Sequence, residues 1–306
     1  MSALKQAPAA DPSRGAAPAL SEVALERPPS ALSMYVQAAA SSFRGKKGGN
    51  ALPATAVVLP RVVLDGAHIQ RYASFCGYRP SQGTPPAYLH MLSFPLQMHY
   101  MNSPAFPWPV IGSVHLGFQA TQHAPVQAGE TVRVEVVPGD LSAHDKGQVF
   151  SLVTNVTRDG VLVWRSVNHY LRMGVRSPQG APYASQLGES DSLQRREEWS
   201  VDGGIGRRYG RISGDFNPIH LSAPTDKLLG FKRAIAHGMW TMARALAQVV
   251  PPQAAPRLSV QVEFKTPLFL PGKATLWTCT SGEATLFEVR DGAGVKPHLR
   301  GKVVLG

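Results

Sequence analysis

A carboxylate and an imidazole lie close together in one short segment of this chain. Asp215 and His220 are five residues apart, and Asn217 and Pro218 between them form a turn sequence. Held by one turn, the two side chains could work as an acid and base pair, because imidazole titrates near neutral pH. Asp215 taken alone could equally be a turn-forming residue, since Asp-x-Asn-Pro is favourable turn chemistry.

The neighbouring residues have more ordinary interpretations. Ser213 is expected to form a loop hydrogen bond rather than act as a nucleophile, because it lies in no Gly-x-Ser-x-Gly elbow. Tyr209 could pack nearby or line a site. His237 and Gly238 open a long apolar helix, whose first N–H groups lack intrahelical partners. We interpret His237 as a helix-start or packing residue rather than a second base.

No metal site is expected. Other histidines are scattered through the first half, among them His90, His99, His115 and His123. Their spacing is not typical of metal ligands. The two cysteines, Cys76 and Cys279, support neither a disulfide framework nor a thiolate metal site, so a reducing compartment, the cytoplasm, is expected.

Composition predicts a globular protein with an anionic partner. Of 306 residues 43% are apolar, which is enough for a full core, and Lys plus Arg (31) exceed Asp plus Glu (20) by 11. Basic blocks interleaved with aromatic residues are missing, so no nucleic-acid partner is expected. No apolar run reaches the roughly 18 residues of a membrane span, and the start lacks a signal core.

Periodicity predicts which elements position the acid and base pair. A short helix ends at Gly214 and a long buried helix runs from about Ala234 to Val250. Strands are predicted after them, at residues 258–266, 274–280, 285–290 and 302–305. The first half has the same order, with a helix at 65–78, an apolar helix at 88–101 that Pro95 should kink or split, and four strands between residues 113 and 173.

The two halves also repeat in their residues. Asp65, Tyr72 and Gly77 recur 137 positions later as Asp202, Tyr209 and Gly214. The same offset places Tyr78 opposite Asp215, and no histidine follows where His220 would require one. The first copy is therefore expected to be catalytically degenerate.

These patterns predict four segments. Residues 1–50 are expected to be a flexible tail and linker, in which residues 32–43 could form a short helix. Residues 51–174 form the N-terminal domain, 175–197 a second linker, and 198–306 the catalytic domain.

The second copy resembles the hydratase 2 signature of the MaoC-like dehydratase family. That pattern is a Tyr followed by Ser-Gly-Asp-x-Asn-Pro-Ile-His, here Tyr209 and residues 213–220, with Ala-His-Gly-Met at 236–239. The resemblance implies a hot-dog fold, an antiparallel sheet around one long helix. With the repeat it implies an α+β double hot dog, whose degenerate copy would shape the acyl pocket.

The resemblance also implies an activity, the interconversion of trans-2-enoyl and (R)-3-hydroxyacyl thioesters in fatty acid metabolism. Asp215 would hold the water, His220 would be the acid or base, and the Gly238 amide would stabilise charge on the thioester oxygen. The expected substrate-binding residues are Tyr209, Ser213, Asn217 and His237. No cofactor is expected, because coenzyme A or phosphopantetheine would enter as part of the substrate, an acyl-CoA or an acyl carrier protein.

Two other functions remain open at this point. A hot-dog thioesterase would release free thiol, and a non-catalytic acyl-binding or assembly subunit would bind without turnover. The Asp215 and His220 pair favours neither. Two copies in one chain could mimic a dimer, so either a monomer (a pseudo-dimer) or a homodimer is expected.

Overall fold

Two similar halves share one twelve-stranded sheet in this protein. The computed structural model describes residues 20–42, 51–221 and 233–306. The helices of the described part are α1 (Ala31–Ser42), α2 (Gly66–Cys76), α3 (Leu89–Asn102), α4 (Ile205–Ser213) and α5 (Gly238–Val249). The first strands are β1 (Ser21–Ala24), β2 (Thr55–Val63), β3 (Ser113–Gln122), β4 (Thr131–His144), β5 (Gly147–Arg158), β6 (Val161–Met173) and β7 (Ala181–Pro182). The remaining strands are β8 (Gln194–Val201), β9 (Leu258–Phe264), β10 (Gly272–Ser281), β11 (Ala284–Asp291) and β12 (Pro297–Leu305).

The order of the strands expresses the repeat. From one edge the sheet runs β1-β2-β4-β5-β6-β3-β9-β12-β11-β10-β8, with the short β7 beside β4. The order β2-β4-β5-β6-β3 in the first half is matched by β8-β10-β11-β12-β9 in the second. The halves join where β3 and β9 pair antiparallel, with Phe118 opposite Val262. Among the described residues, each half contains the long apolar helix that the repeat predicted, α3 in the first half and α5 in the second.

The C-terminal ends of α2 and α4 occupy the same repeat position in the two halves. Asp65 caps α2 by accepting hydrogen bonds from the Ala67 and His68 amides. Gly77 ends α2 with φ 85°, and Gly214 ends α4 with φ 74°, a left-handed conformation that favours glycine. The conformation of these two glycines agrees with the repeat that was found in the sequence.

The short turns that follow α2 and α4 end in different residues, Gln82 and His220. A 3-10 turn follows each glycine, Pro80–Gln82 in the first half and Pro218–His220 in the second. Gln82, the third residue of its turn, is buried and donates to the carbonyls of Ala247 (3.2 Å) and Pro251 (3.1 Å). Ala247 lies in the last turn of α5 and Pro251 just beyond its end, so Gln82 caps that helix.

The long helices lie in the core. Met242, Ala243, Ala245 and Leu246 of α5 are fully buried, which explains why its sequence is apolar on most sides. In α3 the helix continues through Pro95, where the sequence predicted a kink or a split; no split occurs.

The two predicted linkers contain regular structure. In the first, β1 pairs parallel with β2, and α1 packs on α3 through the buried Met34 and Ala38, which are spaced four residues apart. The rest of that segment, residues 1–19 and 43–50, lies outside the described residues. In the second, β8 begins at Gln194. The mixed charges at residues 195–198 predict a linker from the sequence alone, but in the structure they belong to β8, an exposed edge strand on which charged side chains are favourable.

None of the helices in the described ranges is both long and apolar enough to cross a membrane. Cys76 and Cys279 are free cysteines.

Candidate active site

The loop after α4 is held by its own side chains. Ser213 Oγ accepts from the Asp215 amide (3.2 Å), Asp215 Oδ1 from the Asn217 amide (3.1 Å), and Asn217 Oδ1 from the Ile219 amide (3.4 Å). Such side-chain turns fix a backbone locally. Ser213 thus has the loop role expected of it, and Asn217 caps the turn that carries His220.

Two glycines of α4 let this loop lie directly on the helix. A Cβ at Gly206 would be 2.1 Å from the His220 carbonyl oxygen, and one at Gly210 would be 2.9 Å from the Asp215 carbonyl oxygen. Neither position accommodates a side chain without moving the loop. Sequence analysis did not identify them, although two glycines four residues apart in a helix are a usable signal.

We expect Gly206→Ala to lower turnover by roughly tenfold, because the added methyl group pushes His220 away from Asp215 and small displacements at a site are costly. Gly203→Ala is the control, since its Cβ would meet only Pro271 Cδ at 3.8 Å. Steady-state kinetics of both variants, with thermal unfolding to verify folding, makes the comparison. Equal rates for Gly206→Ala and wild type would contradict it.

The His220 ring is oriented by a backbone carbonyl. Its Nδ1 lies 2.8 Å from the Ile235 oxygen. Because a carbonyl only accepts, Nδ1 carries the proton in the neutral ring and Nε2 carries the lone pair. His220 is therefore presented as a base through Nε2.

The His237 ring packs against the His220 ring. The two rings stack with centroids 3.7 Å apart, and His237 Nε2 donates to the Asp215 carbonyl oxygen at 2.9 Å. His237 is 2% exposed. Burial, together with the charge on His220, lowers its pKa to about 3 against the opposing effect of Asp215. A neutral, packed ring at the start of α5 agrees with the sequence interpretation.

Asp215 is held as a carboxylate. Burial opposes its ionisation, but His237, His220, a hydroxyl group and the Asn217 amide together lower its pKa. The hydroxyl belongs to Tyr35 of α1, whose Oη donates to Asp215 Oδ1 at 2.5 Å. Tyr35 could not be predicted from the sequence, because it lies 180 residues away in a segment expected to be a tail.

Gly238 and Tyr209 complete the surroundings. Gly238 is the first residue of α5, and the His237 side chain does not cap that helix. A Cβ at Gly238 would be 2.8 Å from the Phe264 ring, so the close approach that requires glycine here is made by Phe264. Tyr209 is 1% exposed and packs on His237, with ring centroids 4.9 Å apart. Of the two roles that the sequence left open for Tyr209, packing or lining the site, this contact is the packing role.

The side chains of Asp215, His220 and His237 are also the candidates for a metal site. Ligand atoms of Asp215, His220 and His237 all lie within 4.8 Å of one another. The imidazole planes, however, are only 27° apart at 3.7 Å. An ion in the plane of one ring would lie well out of the plane of the other, which disfavours coordination by both.

The chain is similar to proteins of one known family. The MaoC like domain family matches residues 191–298. The 3-hydroxyacyl-thioester dehydratase X of Mycobacterium tuberculosis is 30% identical over 277 residues, which are 90% of this chain and 98% of that protein. The chain belongs to the MaoC-like dehydratase family.

Solved structures show the same fold. The crystal structure of HtdX of Mycobacterium tuberculosis matches with a TM-score of 0.69 and 28% identity, covering 81% of this chain and 98% of that one. Another protein of that organism, described as having a double hotdog fold, matches with a TM-score of 0.53 and 12% identity over 81% of this chain and 95% of its own. The predicted family, the α+β double hot-dog fold and the dehydratase class of enzyme are confirmed.

Proposed function

We propose that this protein interconverts trans-2-enoyl and (R)-3-hydroxyacyl thioesters in fatty acid metabolism, with Asp215 and His220 as its catalytic pair. One observation carries the proposal. A carboxylate oxygen of Asp215 and a ring nitrogen of His220 lie within 4.8 Å, a separation that one water molecule can bridge by hydrogen bonds to both. The similar 3-hydroxyacyl-thioester dehydratase supports the choice of substrate.

In the hydration direction Asp215 orients the water and His220 Nε2 takes its proton. The water oxygen bonds to C3, and the electron pair of the double bond moves towards the thioester carbonyl. The proton held by the pair is then delivered to C2, so that the elements of water are added and nothing else is consumed. Dehydration follows the same steps in reverse.

The negative charge that develops on the thioester oxygen requires a donor. The start of α5 at Gly238 offers an N–H group at the positive end of a helix dipole. A donor of this kind contributes roughly 3 kcal/mol in other oxyanion holes. We assign the Gly238 amide this role, and Tyr209, Ser213, Asn217 and His237 to the structure of the surrounding pocket.

The substrate carrier is coenzyme A or acyl carrier protein, both of which present phosphate, and a chain with net charge +11 attracts either. The mechanism needs no cofactor beyond the carrier.

Free Cys76 and Cys279 support a cytoplasmic location. The joined halves support a functional unit of one chain, alone or paired as a homodimer.

The test is a hydration assay of purified protein with short and medium trans-2-enoyl-CoA, followed by chiral analysis of the product. We expect (R)-3-hydroxyacyl-CoA. If CoA substrates are inert, the same chains on acyl carrier protein are tested. Release of free thiol would identify a thioesterase, and binding of both carriers without turnover would identify an acyl-binding subunit.

A further inference from the structure

Within the proposed function, we infer that Tyr35 is a positioning residue for Asp215: it holds Oδ1 in a fixed hydrogen bond, so that Oδ2 is the oxygen that meets the reacting water. Tyr35 lies on α1, far from the segment that matches the family, residues 191–298. The catalytic half thus depends on a side chain from the opposite end of the chain.

The two oxygens of the Asp215 carboxylate have different surroundings. Oδ1 accepts from Tyr35 Oη at 2.5 Å and from the Asn217 amide at 3.1 Å. Oδ2 lies 3.7 Å from His237 Nε2, which is beyond a hydrogen bond. The Asp215 side chain retains 26% exposure, so a substrate can reach it. With two donors already on Oδ1, Oδ2 is the oxygen left to accept from water.

Helix α1 is anchored well enough to position a side chain. Ser30 caps its start, with Ser30 Oγ accepting from the Ser33 amide at 3.2 Å. Met34 and Ala38 are buried against the core. At the end of α3, the side-chain Nδ2 of Asn102 donates to the Met34 carbonyl oxygen at 3.0 Å. Tyr35 follows Met34 directly, so these contacts fix the backbone from which it extends.

The Tyr35 hydroxyl stays a donor at every working pH. Burial, and then the charge of Asp215, raise its pKa far above the ordinary value. A donor to the ionised form of a carboxyl group favours that form. The other titratable groups that act on Asp215 or feel its charge are His220, His237, Tyr209, Tyr170, His90 and His115. Tyr35 acts on Asp215 by direct contact, because its hydroxyl donates to Oδ1.

The test compares Tyr35→Phe with Tyr100→Phe. Both changes remove one hydroxyl and keep the ring, but the Tyr100 hydroxyl donates to the Pro53 carbonyl at 2.8 Å and does not touch the site. For Tyr35→Phe we expect kcat to fall roughly tenfold, as for the loss of a hydrogen bond to a charged group, with KM little changed. The acid limb of its pH profile should move to higher pH, and Tyr100→Phe should retain both the rate and the profile.

A second readout does not depend on turnover. The carboxyl carbon of Asp215, labelled with carbon-13 and assigned by its absence in Asp215→Asn, is titrated by NMR in wild type and both Phe variants. We expect a higher pKa for Asp215 in Tyr35→Phe alone. An unchanged titration would overturn the role of Tyr35 even in an active enzyme. An inactive wild type with the shift present would instead overturn the proposed reaction and leave the Tyr35 contact established.

Discussion

Asp215→Asn is expected to lower kcat by at least a hundredfold, and His220→Ala by a similar factor, as for the loss of general acid-base groups. Asparagine has the same shape as Asp215 and leaves its neighbours in place. A neutral amide, however, does not stabilise the positive charge that His220 acquires when it takes up a proton. Alanine removes the Nε2 lone pair itself. The measurement is steady-state hydration of an enoyl thioester by each variant.

Non-additivity provides the sharper criterion for this pair. Because the two groups act on one water, the double variant should be little slower than either single variant. Asp65→Asn is the matched control, since asparagine caps a helix as well as aspartate and α2 lies in the first half. Multiplying losses in the double variant would mean that the two residues act in separate steps.

Acidification from pH 7 to pH 5 is expected to destabilise the fold by several kcal/mol. Burial lowers the pKa of His90 to about 4 and that of His237 to about 3. In the unfolded chain both regain the ordinary value near 6.5 and bind protons that the folded chain excludes. The contribution of the two neutral histidines to the free energy of unfolding is therefore fully present above about pH 6.5. It declines as the pH falls towards the pKa values of the folded state, by about 2 kcal/mol per histidine at pH 5.

Urea unfolding of His90→Phe at the two pH values tests this expectation. His90 Nδ1 is buried without a hydrogen-bond partner in the described structure, so phenylalanine should cost little at pH 7. At pH 5 the variant should lose about 2 kcal/mol less than wild type. His123→Gln, at an exposed position, is the control and should behave as wild type. If His90→Phe shows the wild-type pH dependence, the buried ring is not the source of the acid sensitivity.

Some parts of the site were predictable because they are local. The loop from Ser213 to His220 is stabilised by hydrogen bonds between near neighbours, so its sequence alone specifies its shape. The same holds for the cap at Asp65 and the left-handed glycines at Gly77 and Gly214. Repetition of these local signals also revealed two copies of one unit, whereas the order of the strands in the sheet is known only from the structure.

Other parts depend on contacts between distant segments. Tyr35 meets Asp215 only because α1 packs on α3, and nothing in the sequence near Tyr35 indicates that contact. The Phe264 ring meets Gly238 because β9 passes the start of α5. A charged strand such as β8 also resembles a linker until its partner, β10, is known. In each case the contact depends on which elements pack or pair with each other, and the local sequence does not specify that.

The cap that Gln82 provides ties the two halves of the sequence together. Its side-chain amide, in the first half, donates to the carbonyls of Ala247 and Pro251 at the end of α5, in the second half. A residue without a side-chain donor at this position would release those carbonyls, at the far end of the helix that begins at Gly238. We therefore expect the two copies to have diverged as one unit, because a change in the first copy alters the support of a helix in the second.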